Sequence, residues 1–295
     1  VCIIACGSAM HAGLAGQFLM KKFLHIPVSV EMASEFMYTD PVVDEKTLVI
    51  AVSQSGETID TLEALKYAKQ KGAGSLAVIN VKGSSIARES DAVLYTNAGP
   101  EIAVASTKAY TSQLALFALL VARMAYVRGD FTETETRDFV RELKRVPDAM
   151  EKVLAGKEKI HHIAGRIISA KDIFMIGRGL DYFIAMEGSL KLKEVSYIHS
   201  EAYASGELKH GPLALITEHT PVVAVATQKQ LLSKEVSNIR EVRSRGADVV
   251  LFAKEQLMPE EEEGYLTFEL PDVRDEFMCL PAAAALQLLA YYVSS

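Results

Sequence analysis

The segment Thr47-Leu-Val-Ile-Ala-Val52 is typical of a short buried strand, and the loop Ser53-Gln-Ser-Gly-Glu-Thr58 follows it directly. The pattern after the loop predicts a helix that starts near Gly56 and ends at Gly72. Its apolar residues recur at helical spacing, at Ile59, Leu62, Leu65 and Ala68. A strand joined to a helix by a short loop is the repeating unit of an α/β fold with a parallel sheet.

Similar patterns lie on both sides of this segment. Further strands are predicted at Val1–Ala5, Val28–Val30, Ser75–Asn80, Ala92–Tyr95 and Asp172–Ile176. A charged helical stretch from about Gly129 to Lys159 separates the two halves and is typical of a linker of one or two helices. Because a domain has on the order of 150 residues, the chain is expected to have two domains, 1–128 and 160–295, joined by the linker 129–159.

The second half repeats landmarks of the first at an offset of 170 to 174 residues. Thr47–Val52 matches Thr220–Val225, and the helix end around Gly72 matches that around Gly246. The common order of these matches favours a duplication. However, the second half has Ala226-Thr-Gln-Lys229 where the first has the hydroxyl-rich loop. We therefore expect two doubly wound domains, of which only the first has a phosphate-type loop.

The composition argues against several classes of protein. With 31 Lys and Arg against 38 Asp and Glu, the net charge is -7, so neither nucleic acid nor an anionic membrane is an expected partner. The three cysteines lack CxxC spacing and the seven histidines show no HExxH pattern, which predicts no metal site and a reducing compartment such as the cytoplasm. The apolar run Leu114–Ala122 stops at Arg123, short of the roughly 20 residues of a membrane span. Because the chain opens on a strand without a Met, we expect a piece of a longer protein.

The loop after the first-half strand has the features of a phosphate site. A strand end, hydroxyl side chains and a helix start bring together free backbone N–H groups and the helix dipole. Ser53, Ser55 and Thr58 supply the hydroxyls, and no Lys follows Gly56, which excludes a Walker A loop. The alternative is that Ser55 only caps the helix, a role worth about 1 kcal/mol.

A second hydroxyl-rich junction, from Gly99 to Lys108, precedes the long apolar helix Ala109–Tyr126. The plain explanation is a turn with Ser106 as the N-cap of the helix. In such a sheet, however, strand ends and their loops converge on one crevice at the topological switch point. Glu101 would then enter the same pocket as Ser53.

Glu187, Lys191 and Glu194 fall within about 60° of each other on a helix, so that two carboxylates flank one ammonium. The usual meaning is a solvated face with ion pairs worth about 0.2–0.5 kcal/mol each. The other interpretation is that one Glu is a general base and Lys191 orients substrate oxygens beside it.

His210 is followed by Gly211-Pro212, which is expected to end any short helix at His210 and to place the imidazole at the edge of a loop. A single His is most often structural. Its ordinary pKa nevertheless suits proton transfer at neutral pH.

Together these segments resemble the isomerase half of the glutamine:fructose-6-phosphate amidotransferase family. The resemblance covers nearly the whole chain and rests on Cys6-Gly-Ser8, Ser53-Gln-Ser-Gly-Glu-Thr58, Ala98-Gly-Pro-Glu101, Ala105-Ser-Thr-Lys-Ala-Tyr110, Leu190-Lys-Leu-Lys-Glu194 and Gly206-Glu-Leu-Lys-His-Gly-Pro212. The loop Ser53–Thr58 is typical of sugar-isomerase (SIS) domains in general, whereas Lys191–Pro212 is specific to this family. The resemblance implies two tandem SIS domains, each a flavodoxin-like parallel sheet flanked by helices, without metal or redox cofactor.

The resemblance also implies a role for each matching residue. The sugar phosphate would be held by Ser53, Gln54, Ser55 and Thr58, with Ser8 beside them and with Val104 and Ser106 on the sugar. Glu194 would move the proton between C1 and C2, with Lys191 and Glu101 around it. His210 would assist ring opening in the site of a neighbouring subunit, so a homodimer is expected.

The activity implied is the first step of hexosamine synthesis, in which fructose 6-phosphate becomes glucosamine 6-phosphate with ammonia from an N-terminal glutaminase domain. Fructose 6-phosphate, glucose 6-phosphate and glucosamine 6-phosphate are the expected ligands. Ala9 departs from the Ser of many members, and the family's imine-forming Lys is expected in a tail beyond Ser295. Two alternatives stay open: another SIS phosphosugar isomerase or deaminase, and a non-enzymatic module that senses a phosphosugar through the loop alone.

Overall fold

The computed structural model describes residues 1–258 and 265–295. Its contacts divide the chain into two compact units, Val1–Val140 and Arg141–Ser295. The division falls inside a helix of the charged stretch that was predicted to be the linker. Each unit is an α/β layer structure with its own core.

The first unit alternates strands and helices. Its elements are β1 (Cys2–Ala5), α1 (Gly7–Leu24), β2 (Ser29–Met32), α2 (Ala33–Phe36), β3 (Leu48–Ser53), α3 (Ile59–Gln70), β4 (Gly74–Ile79), α4 (Ser85–Glu89), β5 (Ala92–Tyr95) and α5 (Lys108–Arg128). The strands form a parallel sheet in the order β2-β1-β3-β4-β5. The chain therefore reverses its direction of winding between β1 and β3, which makes that edge the topological switch point.

The second unit repeats this plan after a helical segment. Its elements are α6 (Glu133–Leu143, which contains the division), α7 (Val146–Ala155), α8 (Lys157–Ile167), β6 (Asp172–Gly177), α9 (Leu180–Ser196), β7 (His199–Ala204), β8 (Pro221–Ala226), α10 (Leu232–Arg243), β9 (Asp248–Lys254), β10 (Leu266–Leu270) and α11 (Cys279–Ser294). Two 3-10 helices, Ser205–His210 and Pro212–Leu215, follow β7. The parallel sheet has the order β10-β9-β8-β6-β7.

The two sheets have the same strand order when each is counted from its own first strand, and this order is the flavodoxin-like one. The repeat extends to the helix ends, since Gly72 and Gly246 have φ angles of 90° and 91°. Both prolong a helix C-terminus into a left-handed turn that favours glycine. The predicted fold of two doubly wound parallel sheets is confirmed.

The cores explain why the predicted strands are apolar on both faces. Val49, Ile50, Ala51 and Val52 on β3 are at most 1% exposed, because helices cover both sides of a central parallel strand. In the second unit, β8 is buried along its whole length. A continuous Val/Ile/Ala run is therefore the expected signal for these positions.

The charged stretch, predicted as a linker of one or two helices, contains two complete helices and the start of a third. The described chain has α6 and α7 there, and α8 begins at Lys157 and continues to Ile167, inside the predicted second domain. Gly156 ends α7 and precedes α8, and so breaks a helical pattern that otherwise reads as continuous. The boundaries 1–128 and 160–295 remain a prediction.

In the part of the chain that the structure describes, two segments are long and apolar enough to cross a membrane by length and composition alone, Lys108–Arg128 and Asp275–Ser294. The first is α5, which agrees within two residues at each end with the helix predicted over Ala109–Tyr126 and contains Arg123. Both pack inside their own unit: Phe117 of α5 lies against Gly16 of α1, and α11 contacts α7, α8 and α9. A core helix passes the same test, so this is weak evidence for a membrane span.

Candidate active site

The loop between β3 and α3 is closed by its own hydroxyls. The Ser53 side chain is 2% exposed, and its Oγ accepts a hydrogen bond from the Gly56 N–H at 3.0 Å and lies 2.9 Å from Thr58 Oγ1. Ser55 Oγ accepts from the Glu57 N–H at 3.1 Å. Ser55 therefore closes a turn within the loop and does not cap the helix, which begins only at Ile59, three residues later than predicted.

Gly56 is the residue that sets the shape of this loop. Its φ of 67° lies in the left-handed region. The backbone at Gly56 is therefore not that of a right-handed helix, and α3 cannot begin there. A Cβ added here would lie 2.0 Å from Ser84 Oγ. The loop therefore packs directly on the segment after β4, and only a glycine fits. The first turn of α3, where the positive end of a helix dipole lies, follows directly after the loop.

Asn80 was missed by the sequence analysis. Its backbone N–H donates to the Gln54 carbonyl at 3.2 Å, and its side chain accepts from the Ala98 N–H at 2.8 Å and donates to the Gly99 carbonyl at 2.7 Å. The residue thus ties the loop after β3 to the loop after β5. Its position directly after the buried strand β4, on the same sheet edge as Ser53, is the signal that could have identified it.

Ser8 is the second residue of α1, just beyond the end of β1. Since β1 pairs with β3 in the sheet, the helix that carries Ser8 begins at the same carboxyl edge as the loop Ser53–Thr58. This edge is the switch point of the first sheet, where ligands of such folds bind. The Ser8 side chain is half-buried at this edge.

The Glu101 carboxylate binds the N-terminus of α5 in the first unit. It accepts from the Ala109 N–H at 2.9 Å and from the Thr107 N–H at 3.3 Å, and so caps the N-terminus of α5. A carboxylate at this end of a helix is worth about 0.3–1 kcal/mol. The plain explanation of the junction had assigned the cap to Ser106, which is wrong. Ser106 lies half-buried in the preceding loop, and the Val104 side chain is 99% exposed.

The triad Glu187, Lys191 and Glu194 lies on α9 of the second unit. Lys191 Nζ is 3.6 Å from Glu187 Oε1 and is in contact with Glu194 Oε2. Lys191 and Glu187 are only 2% and 1% exposed, so the solvated-face interpretation is wrong for them. The Glu194 side chain is 33% exposed and is the most exposed of the three.

Burial changes the energetic meaning of this triad. Taking an ammonium and a carboxylate out of water costs several kcal/mol per ion, and their attraction offsets this only with good geometry. Replacing such a pair with apolar residues often leaves stability unchanged or improves it. A buried Lys191 is therefore weak evidence for a stabilising role and favours a role in a chemical site.

His210 is the last residue of the 3-10 helix Ser205–His210, and its side chain is exposed. Gly211, with a φ of 147°, ends this helix, as the sequence predicted. Leu208, 1% exposed, packs into the core of the unit and holds the middle of the helix. Within residues 1–258 and 265–295, no cluster of three or more His, Cys, Asp or Glu could hold a metal ion.

The chain is similar to known proteins by family, by sequence and by structure. The SIS domain family matches residues 1–123 and 166–294. The glutamine–fructose-6-phosphate aminotransferase (isomerizing) of Caldanaerobacter subterraneus subsp. tengcongensis is 51% identical over 292 residues, which are 99% of this chain and 48% of that protein. The chain thus spans about half the length of this relative.

Among solved structures, the C-terminal domain of glucosamine-fructose-6-phosphate aminotransferase from Francisella tularensis has a TM-score of 0.95 and 41% identity, over 99% of this chain and 83% of that one. Glucosamine-6-phosphate deaminase from Thermotoga maritima has a TM-score of 0.79 over 99% of this chain and 84% of that one, but only 23% identity, which shows the fold alone. The chain belongs to the SIS domain family and corresponds to the isomerase half of the glutamine–fructose-6-phosphate aminotransferases.

Proposed function

We propose that this chain binds fructose 6-phosphate, isomerises it, and in the full-length protein produces glucosamine 6-phosphate with ammonia from a glutaminase domain. The observation that carries the proposal is the buried Lys191, in contact with a partly exposed Glu194, in a chain that also has a phosphate-type loop. A module that only senses a phosphosugar needs the loop but not the buried ion pair.

Glu194 is the base of this mechanism. Interconversion of an aldose and a ketose moves a proton between C1 and C2, which requires a carboxylate over that bond. The contact with Lys191 holds the Glu194 carboxylate in one orientation. Because Lys191 has three N–H donors, it can also stabilise negative charge that develops on the substrate oxygen.

The loop of the first unit binds the phosphate group. Hydroxyls and backbone N–H groups at a strand-to-helix junction donate hydrogen bonds to an anion. Such a site needs no cationic side chain. The residues assigned to the substrate are Ser8, Ser53, Gln54, Ser55, Thr58, Val104 and Ser106. Glu101 belongs to the candidate catalytic set through the resemblance alone, and its contact in the structure supports a role in holding the start of α5.

His210 assists ring opening, and it acts in the site of the neighbouring subunit of a cytoplasmic homodimer. Its exposure at the end of a short helix supports a partner outside its own unit. The division of the chain near residue 140 supports two SIS domains, which we place at 1–128 and 160–295, with 129–159 between them.

Glu194→Gln tests the proposal most directly. The amide keeps the shape of the side chain but cannot accept the proton, so isomerisation of fructose 6-phosphate to glucose 6-phosphate should fall by about 10²–10⁴, the usual worth of a positioned base. Substrate binding, measured by calorimetry, should stay within about threefold because the phosphate loop is untouched. Glu218→Gln, at a side chain that is 83% exposed, is the matched control and should behave like the wild type.

The outcomes separate the candidate functions. Normal turnover of Glu194→Gln would contradict the role of Glu194. Tight phosphosugar binding without turnover in the wild type would favour a sensing module. Turnover of a different ketose phosphate in preference to fructose 6-phosphate would favour another SIS isomerase.

A further inference from the structure

Arg178 lies in the loop between β6 and α9, flanked by two glycines with tight surroundings. A Cβ on Gly177 would lie 2.5 Å from the Asp181 carbonyl carbon, and Gly179 has a φ of 57°. The Arg178 carbonyl accepts the Asp181 N–H at 3.1 Å. The backbone of Arg178 is therefore fixed at the start of α9, the helix that carries Lys191 and Glu194.

The guanidinium of Arg178 binds α10. Its Nε and Nη2 both donate to Asn238 Oδ1, at 3.2 Å and 2.7 Å, and its Nε lies 3.8 Å from Glu235 Oε2. Asn238 and Glu235 are only 3% and 2% exposed. Arg178 thus closes a buried polar cluster on this helix, and its rigid fork makes bonds that a lysine could not reproduce.

The other side of the cluster is the 3-10 helix that ends at His210. Ser205 Oγ, fully buried, donates to Glu235 Oε1 at 2.7 Å. The guanidinium lies so close to the next residue that a Cβ added to Gly206 would be 2.8 Å from Arg178 Nη2. The first two residues of this helix therefore pack on the cluster, while its last residue is the exposed His210.

The pKa of Glu235 depends on the other members of this cluster. Burial raises the pKa of Glu235 to about 7, while the hydrogen bond from Ser205 and the charge of Arg178 act in the opposite direction. Removing the guanidinium would leave Glu235 without the positive charge that lies 3.8 Å from its Oε2. Such a group then protonates or moves, and either change acts on Ser205.

We propose that Arg178 is a positioning residue that fixes the His210 helix relative to the start of α9. The proposal rests on the proposed function, since it gives Arg178 a role through His210. A 3-10 helix of six residues has poor hydrogen-bond geometry of its own, so contacts at its ends determine its orientation. A catalytic group that is displaced by about 1 Å can lose on the order of 10²-fold in rate.

Arg178→Met is the first test, because it removes the fork and keeps an apolar stem of similar length. We expect kcat for isomerisation to fall by about 10–100-fold, with the KM for fructose 6-phosphate within about threefold since the phosphate loop is in the other unit. Hydrogen exchange at residues 205–211 should become at least about tenfold faster. Arg245→Met, at an exposed arginine of the same unit, is the control and should change none of these three quantities.

Gly206→Ala is an independent variant for the same contact. The added methyl group should push the guanidinium away and lower kcat in the wild-type background, but it should cost nothing further in the Arg178→Met background. His210→Ala should likewise hide the effect of Arg178→Met on kcat, because a misplaced and a missing side chain are equivalent.

Two results would overturn the proposal: unchanged exchange at 205–211 in Arg178→Met, or rate losses from Arg178→Met and His210→Ala that multiply. A wild-type chain without isomerase activity would contradict the proposed function instead. The exchange measurement would still decide whether Arg178 holds the helix.

Discussion

The junctions after β3 and after β8 occupy the same place in two sheets of the same strand order, yet they use their backbone donors differently. The connecting loops, residues 54–58 and 227–231, have equal length. In the first, the Gly56 N–H donates to Ser53 Oγ at 3.0 Å, within the loop itself. In the second, the buried Asp181 carboxylate accepts both the N–H and the Oγ1–H of Thr227, at 2.7 Å and 2.5 Å.

An internal carboxylate thus takes the donors that an anion would need in the second copy. Asp181 lies on α9, in a different part of the chain from Thr227. The comparison therefore predicts that the second junction does not bind a phosphate group. It also predicts a single phosphosugar site in each chain.

The largest expected effect is that of Gly56→Ala on phosphosugar binding. Alanine at this φ is strained, and its methyl group would overlap Ser84, so the loop must change shape. Losing two hydrogen bonds to a charged phosphate, at about 1.5–3 kcal/mol each, weakens binding by more than about 100-fold. Calorimetry should give one fructose 6-phosphate per wild-type chain and no measurable binding for the variant.

Gly83→Ala provides the control for backbone strain. Gly83 also has a positive φ, 72°, but a Cβ there would meet nothing within 4 Å. Binding should stay within about threefold of the wild type. Two equivalent sites per wild-type chain would contradict the contrast between the junctions.

A smaller effect is expected when the hydroxyl group of either junction, on Ser53 or on Thr227, is removed. Ser53→Ala should weaken fructose 6-phosphate binding about tenfold, the worth of one hydrogen bond to a charged group. Thr227→Ala should leave binding unchanged but lower the free energy of unfolding by about 1–3 kcal/mol, because Asp181 stays buried with fewer donors. Calorimetry measures binding and urea denaturation measures the free energy of unfolding for both variants. Loss of binding in Thr227→Ala would show that the second junction does hold a ligand.

Asp181 should also give the second junction a pH dependence. Burial raises the pKa of Asp181 to about 7, so the folded protein keeps a proton that the unfolded chain loses near pH 4. The stability contributed by this group is present in full below about pH 4 and is lost as the pH rises towards 7. Asp181→Asn removes this loss.

The melting temperature of Asp181→Asn, relative to that of the wild type, should therefore be about 5–10 °C higher at pH 8 than at pH 5. Asp40→Asn, at an exposed position, serves as the control and should show no such change with pH. A difference between Asp181→Asn and wild type that is equal at both pH values would mean that the Asp181 carboxyl does not titrate in this range.

The smallest effect concerns the equivalent helix ends. Gly72→Ala and Gly246→Ala both place a side chain at a positive φ, which costs roughly 1–2 kcal/mol. A Cβ on Gly246 would also lie 2.9 Å from Glu218 Cα, whereas the nearest atom to one on Gly72 is 3.6 Å away. Gly246→Ala should lower the melting temperature by about 2–4 °C more than Gly72→Ala does. Equal losses would indicate that the Glu218 backbone yields freely.

Local sequence patterns predicted the features that depend on neighbouring residues, such as the strand before Ser53 and the end of a short helix at His210. The start of α3 was predicted near Gly56, three residues too early. Partners that are distant in sequence were not predicted. The cap of α5 was assigned to Ser106 because that hydroxyl is adjacent to the helix, yet the cap is Glu101, which returns through a loop.

Asn80 and Arg178 were overlooked for the same reason. Neither belongs to a motif, and each acts by joining loops that only the sheet brings together. A polar residue directly after a buried parallel strand is a usable signal for Asn80. For Arg178 the flanking glycines are a weaker one.

The sequence by itself determined the alternation of strands and helices, the duplication, the chemistry of the loop Ser53–Thr58 and the common helical face of Glu187, Lys191 and Glu194. Only the tertiary structure decided that Glu187 and Lys191 are buried and that Asp181 takes the donors of Thr227. The physical reason is that local backbone geometry and side-chain periodicity depend on near neighbours, whereas desolvation and the pairing of buried polar groups depend on which distant segments pack together.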